Sequence, residues 1–351
     1  MFAALLLATY STFGPIAQTE REIFTATADG STLQRIVKDA PNVAPFPLAE
    51  SPYRIAAVDL DGDDVLFGTS VRERIAWTPI FPNNDVYQSA TIELVDAERV
   101  HAIERVNATG GVPRTVIGGL RSVAQLAHDA SWIYWLESSS GAYDTPAADA
   151  ALRRIDKSGI VIETVASGLT IPYSNQHPFV LAGDDVYINS GDELLRVSKS
   201  GGPTRAVART RPGSAIALGG GTIHYVLDAR LHRLEAGSDI ELGSMYPIQL
   251  AGATWADTLL GAAPGLLVAQ VGWGLTGTNA REAELLGTCA PEASLRVIRL
   301  ATGDRGHFYF VDPLSAPPTA IDDRGVWMRD HRVITFTTPP QLCTRRRTFA
   351  H

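Results

Sequence analysis

FVLAGDDVYINSGDELLRVSKSGGPTRAVA, Phe179 to Ala208, reads as four short strands. Phe179 to Ala182 is a first apolar strand, Gly183-Asp184-Asp185 a tight turn, and Val186 to Asn189 a second strand rich in β-formers. After a turn at Ser190 to Asp192, Leu194 to Ser198 and Arg205 to Ala208 supply two more strands. They flank Ser200-Gly201-Gly202, whose glycines permit positive φ.

The same unit recurs along the chain, and such self-similarity is the mark of a repeat fold. Its first half returns as AAVDLDGDDVLFGTS from Ala56, AQLAHDASWIYWLES from Ala124 and AIALGGGTIHYVLD from Ala215. Looser copies begin at Asp257 and Thr319. The second half returns as HAIERVNATGGVPRTVI, ALRRIDKSGIVIETVA, ARLHRLEAGSDIELG and SLRVIRLATGDRGHFYFV, and in part as RVITFTT. Before all of these, Glu22 to Val37 reads as a second half with no first half in front of it. Joining that segment to the incomplete last unit closes a circular array and removes its exposed edges. The expected fold is therefore an all-β, six-bladed β-propeller in which an N-terminal strand completes the last blade. The alternative is seven blades, with the N-terminal segment as a blade of its own.

Asp184-Asp185-Val186-Tyr187 and the run Trp132-Ile133-Tyr134-Trp135 resemble the blades of TolB-like and YWTD-type six-bladed propellers. Tyr134-Trp135 is followed by Leu136-Glu137 where the YWTD pattern has Thr-Asp. The resemblance covers nearly the whole chain and implies a propeller acting as an interaction module.

The composition, 45% apolar and 19% charged over 351 residues, is that of a folded protein. A formal charge of −8 opposes nucleic-acid binding, which needs clustered Lys and Arg. Met1 to Ala17 holds an apolar run, Phe2 to Ala8, too short to span a bilayer but suited to a signal peptide. No Lys or Arg precedes that run, and Pro15 is ill placed for cleavage after Ala17. The expected layout is a leader over 1–17, one propeller over 18–344 and a basic tail over 345–351, with no integral membrane span. The location expected is periplasmic or extracellular. Cys289 and Cys343 either join in that setting or remain free thiols.

Three insertions fall between second and third strands, at Ser70 to Arg99, Ser138 to Ala150 and Gly272 to Ala293. In a propeller they share one face around the channel mouth, and loops on a rigid scaffold are where binding resides. Trp77, Tyr87, Tyr143 and Trp273 on these insertions are candidate anchors. Arg54, Arg121, His177 and Arg211 each stand just ahead of a first strand and so near the same mouth. They form either an anion-binding collar or a set of ion pairs with loop carboxylates.

Other motifs carry less. Gly272-Trp273-Gly274-Leu275-Thr276-Gly277 matches GxGxxG but lacks the strand-helix alternation of a dinucleotide site. Asp59, Asp61, Asp63 and Asp64 surround a glycine as calcium ligands do, yet their spacing suits a turn. His224 and His232 have no third ligand for zinc, and His128 aligns with an exposed turn. No metal or cofactor is expected. The reading is a monomeric, non-catalytic propeller that binds a protein, peptide or saccharide through the mouth loops. The alternative is a hydrolase or lyase at that mouth, using His177 with a carboxylate and a divalent metal.

Overall fold

Glycine sets the turns from which the fold is built. In the computed structural model of the protein, Ala182 pairs with Asp185, leaving Gly183-Asp184 as a two-residue turn. Gly183 takes a φ of 58°, a region that side chains disfavour. The structure describes residues 16–27, 30–38, 40, 43–70, 72–81, 84–95, 101–138, 147–171, 178–210, 216–219, 222–228, 230–235 and 237–244, and further strands over 254–263, 266–274, 293–299, 307–310, 318–321, 325–328 and 333–335.

The first sheet consists of β1 (Ile16–Gln18), β2 (Glu22–Ala26), β3 (Thr32–Val37) and β4 (Phe46–Glu50). β5 (Arg54–Asp61) and β6 (Asp64–Ser70) lead into a separate two-stranded ribbon, β7 (Arg72–Phe81) and β8 (Asn84–Val95). β9 (His101–Asn107) and β10 (Arg114–Leu120) then complete the second sheet. The third holds β11 (Ser122–His128), β12 (Trp132–Ser138), β13 (Ala147–Asp156) and β14 (Ile162–Ile171). The fourth holds β15 (Phe179–Ala182), β16 (Asp185–Ser190), β17 (Glu193–Ser198) and β18 (Arg205–Arg209), close to the bounds read from sequence. The fifth is β19 (Ala217–Gly219), β20 (Thr222–Leu227), β21 (Arg230–Glu235) and β22 (Ser238–Ser244). The sixth is β23 (Thr254–Ala263), β24 (Leu266–Gly274), β25 (Ala293–Arg299) and β26 (His307–Phe310). Last comes a three-stranded sheet of β27 (Pro318–Ile321), β28 (Gly325–Met328) and β29 (Val333–Thr335).

All ladders are antiparallel, and no helix occurs among the described residues. None of those residues therefore forms a helix long and apolar enough to cross a membrane. First strands of consecutive sheets adjoin: β1 lies by β5, β5 by β11, β11 by β15, β15 by β19, β19 by β23, and β23 by β27. β27 in turn lies beside β1. Antiparallel sheets arrayed in chain order around their first strands are the arrangement of a β-propeller.

The N-terminal segment departs from the sequence expectation. Glu22 to Val37 supplies the second and third strands of a complete sheet, and no hydrogen-bonded ladder joins it to β27–β29 among the described residues. Two features concealed this. β1 has only three residues and overlaps the expected leader, with Ile16 opposite Thr25 and Ala17 opposite Phe24. β4 contains Pro47, which argues against a central strand but is tolerated on the outer edge that β4 occupies. Cleavage after Ala17 would leave β1 with Gln18 alone.

The core lies between sheets rather than within one layer, which explains why the second strands are apolar runs. In Val65-Leu66-Phe67, Val65 and Phe67 join the cluster with Phe24 and Leu33 of the first sheet. Leu66 points the other way, to Ile133 and Trp135 of the third. On β12 the alternation repeats, because Tyr134 and Leu136 pack with Phe179, Val186 and Ile188 of the fourth sheet. A strand buried on both faces must be apolar at successive positions. Each such side chain contributes roughly 1.5–3 kcal/mol on burial. Gly68 allows the second and third sheets to close up, since a Cβ there would stand 2.5 Å from Val123 Cγ1.

Candidate functional site

Register identifies which end of the sheets carries the insertions. Arg54 pairs with Ser70, and Ser122 with Ser138, so first strands begin where second strands finish. The Ser70 and Ser122 hydroxyls are hydrogen-bonded to each other, joining the second sheet to the third at this end. The β7–β8 ribbon starts immediately after Ser70 and returns before His101. It is an arm of two paired strands, about 33 Å along its ten-residue strand at ~3.3 Å per residue. The second insertion leaves β12 at Ser138 and rejoins β13 at Ala147, and the third separates β24 from β25.

Arg121 precedes β11 at this end. Its Nη1 donates to Asp149 Oδ2 at 2.6 Å and its Nη2 to the Asp149 carbonyl at 3.0 Å. Its Nε lies 3.8 Å from Glu137 Oε1. Arg153 Nε is 3.1 Å from the same oxygen, and Trp135 Nε1 donates to Glu137 Oε2 at 3.1 Å. Glu137 is only 3% exposed, so these cations and the indole hold a carboxylate that burial would otherwise penalise heavily. Arg121 is thus engaged by two carboxylates.

Arg54 is the first residue of β5, at the same end as Arg121. Trp77 lies on β7 and Tyr87 on β8, both on the arm. Trp273 lies on β24, opposite Trp255 in register. Tyr143, His177 and Arg211 lie outside the described residues, as do Cys289 and Cys343. Of the GxGxxG segment, Gly272, Trp273 and Gly274 belong to β24, which pairs antiparallel on both sides. That is not the parallel strand of a dinucleotide fold.

The opposite end carries charged clusters that the sequence did not suggest. His128 Nδ1 lies 2.7 Å from Asp59 Oδ2, and its Nε2 lies 3.8 Å from Asp61 Oδ1. Lys157 Nζ donates to Asp61 Oδ1 at 2.5 Å. One sheet further on, Lys199 Nζ donates to Asp129 Oδ2 at 3.0 Å. Asp129 also accepts from the Ser131 and Trp132 backbone and from the Tyr134 hydroxyl, each at 3.0 Å. Burial would raise the Asp129 carboxyl, but these hydrogen bonds and Lys199 outweigh it and hold it at about 2. For His128 the hydrogen bond to Asp59 raises the imidazole against the opposing effect of burial.

Lys157 and Lys199 occupy equivalent positions, because each follows the third strand of its sheet and donates its backbone N–H to the first turn, at Ser131 and Asp184. Ala108 does the same to Asp63 in the second sheet, where no lysine is available. Asp59 and Asp61 lie in β5 rather than in the turn, which is Gly62-Asp63, and His128 is half-buried rather than exposed. Among the described residues, no three His, Cys, Asp or Glu side chains are arranged to hold a metal. His224 and His232 sit on opposite faces of their sheet, since His232 pairs with Tyr225 and stacks on it while His224 pairs with Arg233. Burial pulls His224 down to about 4.

No protein-family model matches the chain. No curated protein matches its sequence. Among solved structures, the chain is similar to a TolB protein from Agrobacterium tumefaciens, with 12% identity over 65% of this chain and 79% of that one, and a TM-score of 0.41. It is also similar to BamB from Moraxella catarrhalis, with 10% identity over 91% of this chain and 92% of that one, and a TM-score of 0.47.

Proposed function

We propose that the protein is an exported, seven-bladed β-propeller that binds a protein or peptide partner at the end bearing the β7–β8 arm. The arm carries this reading. Two long strands leave the second sheet between its second and third strands, and no other strand pairs with them among the described residues. A lone two-stranded ribbon is marginally stable in water, so a partner that adds strands or surface would stabilise it. Trp77 and Tyr87 lie on it as aromatic anchors, and Arg54 and Arg121 mark the neighbouring rim. Seven blades, rather than six, accord with the complete N-terminal sheet and with β27 lying beside β1. Export is supported by the apolar run Phe2 to Ala8, and cleavage before Ile16 would spare β1.

The test is site-specific photo-cross-linking in the native cell. A photoreactive amino acid is placed in turn at Trp77, at Tyr87 and, as a control at the other end of the sheets, at the exposed Ile160. Polypeptide adducts of one defined mass from the two arm positions and none from Ile160 are expected. Equal adducts from all three positions, or a saccharide as the only trapped species, would overturn the reading.

A further inference from the structure

The register of the arm sorts its residues onto two faces. Ile75 stands opposite Ile92, Trp77 opposite Ala90 and Glu73 opposite Leu94, so these pairs share one largely apolar face. Arg74 with Glu93, Ala76 with Thr91 and Thr78 with Ser89 share the other, which is mostly polar. The two edges also differ. β7 carries Arg72, Glu73 and Arg74 at its root and Pro79 toward its tip. Charges and proline are what blunt an edge against further pairing. On β8 the run VYQSATI, Val86 to Ile92, has no glycine, no proline and no charge. It is bracketed by the two charged residues of the strand, Asp85 and Glu93, both acidic.

We propose that the outer edge of β8 takes an extended segment of a protein partner as a third strand, one that alternates apolar and polar residues and sets Lys or Arg against Asp85 and Glu93. This rests on the partner-binding function above and names the edge and chemistry of that binding. Main-chain hydrogen bonds to an open edge supply affinity, and alternate side chains supply selectivity. The added strand extends the apolar face that Ile75, Trp77 and Ile92 share. The acidic brackets favour a basic segment by charge complementarity. A second copy of the chain is a poorer occupant. Antiparallel self-pairing centred on Ser89 sets Asp85 against Glu93 of the copy at both ends, a like-charge contact made twice.

The probe is a fluorescein-labelled decapeptide alternating lysine and valine, titrated into the full chain by anisotropy and compared with a glutamate-valine counterpart. The lysine peptide is expected to bind about ten-fold more tightly, and the variant Asp85→Lys/Glu93→Lys to reverse that order. On binding, amide exchange slows across 84–95 while the complex retains one chain and one peptide. Absence of charge preference, or binding with exchange across 84–95 unchanged, overturns strand addition at β8. Protection there without peptide, together with a doubled mass, overturns it in favour of a second copy. If strand addition fails while adducts still form at Trp77 and Tyr87, the partner-binding function stands; if both fail, it falls as well.

Discussion

At one end of the third sheet the charged side chains reach across to neighbouring sheets, and at the other they fold back on their own. Lys157 crosses to Asp61 of the second sheet, and Lys199 of the fourth crosses to Asp129 of the third. Arg121 and Arg153, by contrast, meet Glu137 and Asp149 within the sheet that bears them. The crossing pairs stitch adjacent sheets together where the turns are short. The inward-facing cluster instead makes the root of the insertions rigid within a single sheet, beside the ribbon that leaves at Ser70. A scaffold that is tied at one end can carry long insertions at the other without loosening its core.

The largest effect on this contrast is expected at Glu137. Its carboxylate accepts a hydrogen bond from Trp135 and is the ion-pair partner of both Arg121 and Arg153, and it is nearly fully buried. Glu137→Ala leaves two partly exposed guanidinium groups without this counter-charge and a buried indole N–H without its acceptor, at a cost of about 2–3 kcal/mol. Glu137→Gln keeps an oxygen for Trp135 and costs less. Urea unfolding monitored by tryptophan fluorescence separates the two. If the alanine variant unfolds at the wild-type midpoint, the cluster is not what holds the inserted end.

Much of this architecture was legible in the sequence, and the parts that were not share a physical cause. The strands of the Phe179 to Ala208 unit are marked by glycine turns and apolar runs, which are local signals, and the structure places them as expected. The first sheet was misread because its inner strand is three residues long and its outer strand carries Pro47. The pairing of Glu22 to Val37 with the last sheet thus followed from a strand too short to announce itself. The site divides in the same way. Arg121 could be placed at the inserted end from its position ahead of a strand. Its partner Glu137 could not, because a carboxylate inside WIYWLES shows its role only when β13 brings Arg153 beside it. Lys157 and Asp61 are 96 residues apart in the chain, and Lys199 and Asp129 are 70 apart. The lysine's recurrence after the third strand was visible in the repeats, but the sheet it reaches was not.

A smaller effect is expected at the Lys199–Asp129 crossing. Asp129 has an ordinary value of 3.8 that falls to about 2 in the folded chain. A depressed carboxyl stabilises the fold above its unfolded value, and that stabilisation disappears as pH falls through the folded value. The shift corresponds to about 2 kcal/mol, because each pH unit is worth ~1.4 kcal/mol. The stability gap between wild type and Asp129→Asn should therefore be constant from pH 7 to about pH 4 and close between about pH 4 and pH 2. Urea midpoints across that range measure it. A gap that persists unchanged at pH 2 would mean that the side-chain geometry at the turn, and not its charge, joins the two sheets.

The smallest effect, and the sharpest on the contrast between the two ends, belongs to His128. Its imidazole lies between Asp59 and Asp61 of the second sheet, and Lys157 meets the same Asp61 oxygen, Oδ1, that faces the imidazole Nε2. The hydrogen bond to Asp59 raises its pKa against the opposing effect of burial, Asp61 adds to the rise, and Lys157 works against it. A raised imidazole stabilises the folded state fully below the unfolded value near 6.5, and the contribution is lost as pH climbs through the folded value. Wild type should exceed His128→Gln by about 1 kcal/mol or less at pH 5.5 and by progressively less toward pH 9, because the pair is partly solvated. Lys157→Met adds an independent handle. Removing the cation that opposes His128 raises the imidazole further, so the loss of stability moves to higher pH even though the Lys157–Asp61 pair is gone. A titration of His128 by NMR that did not move upfield or downfield at a higher pH in Lys157→Met would show that the two cations do not share the carboxylates of β5. The crossing would then be two separate contacts rather than one joined cluster, and this end of the sheets would be no more tightly coupled than the end that carries the arm.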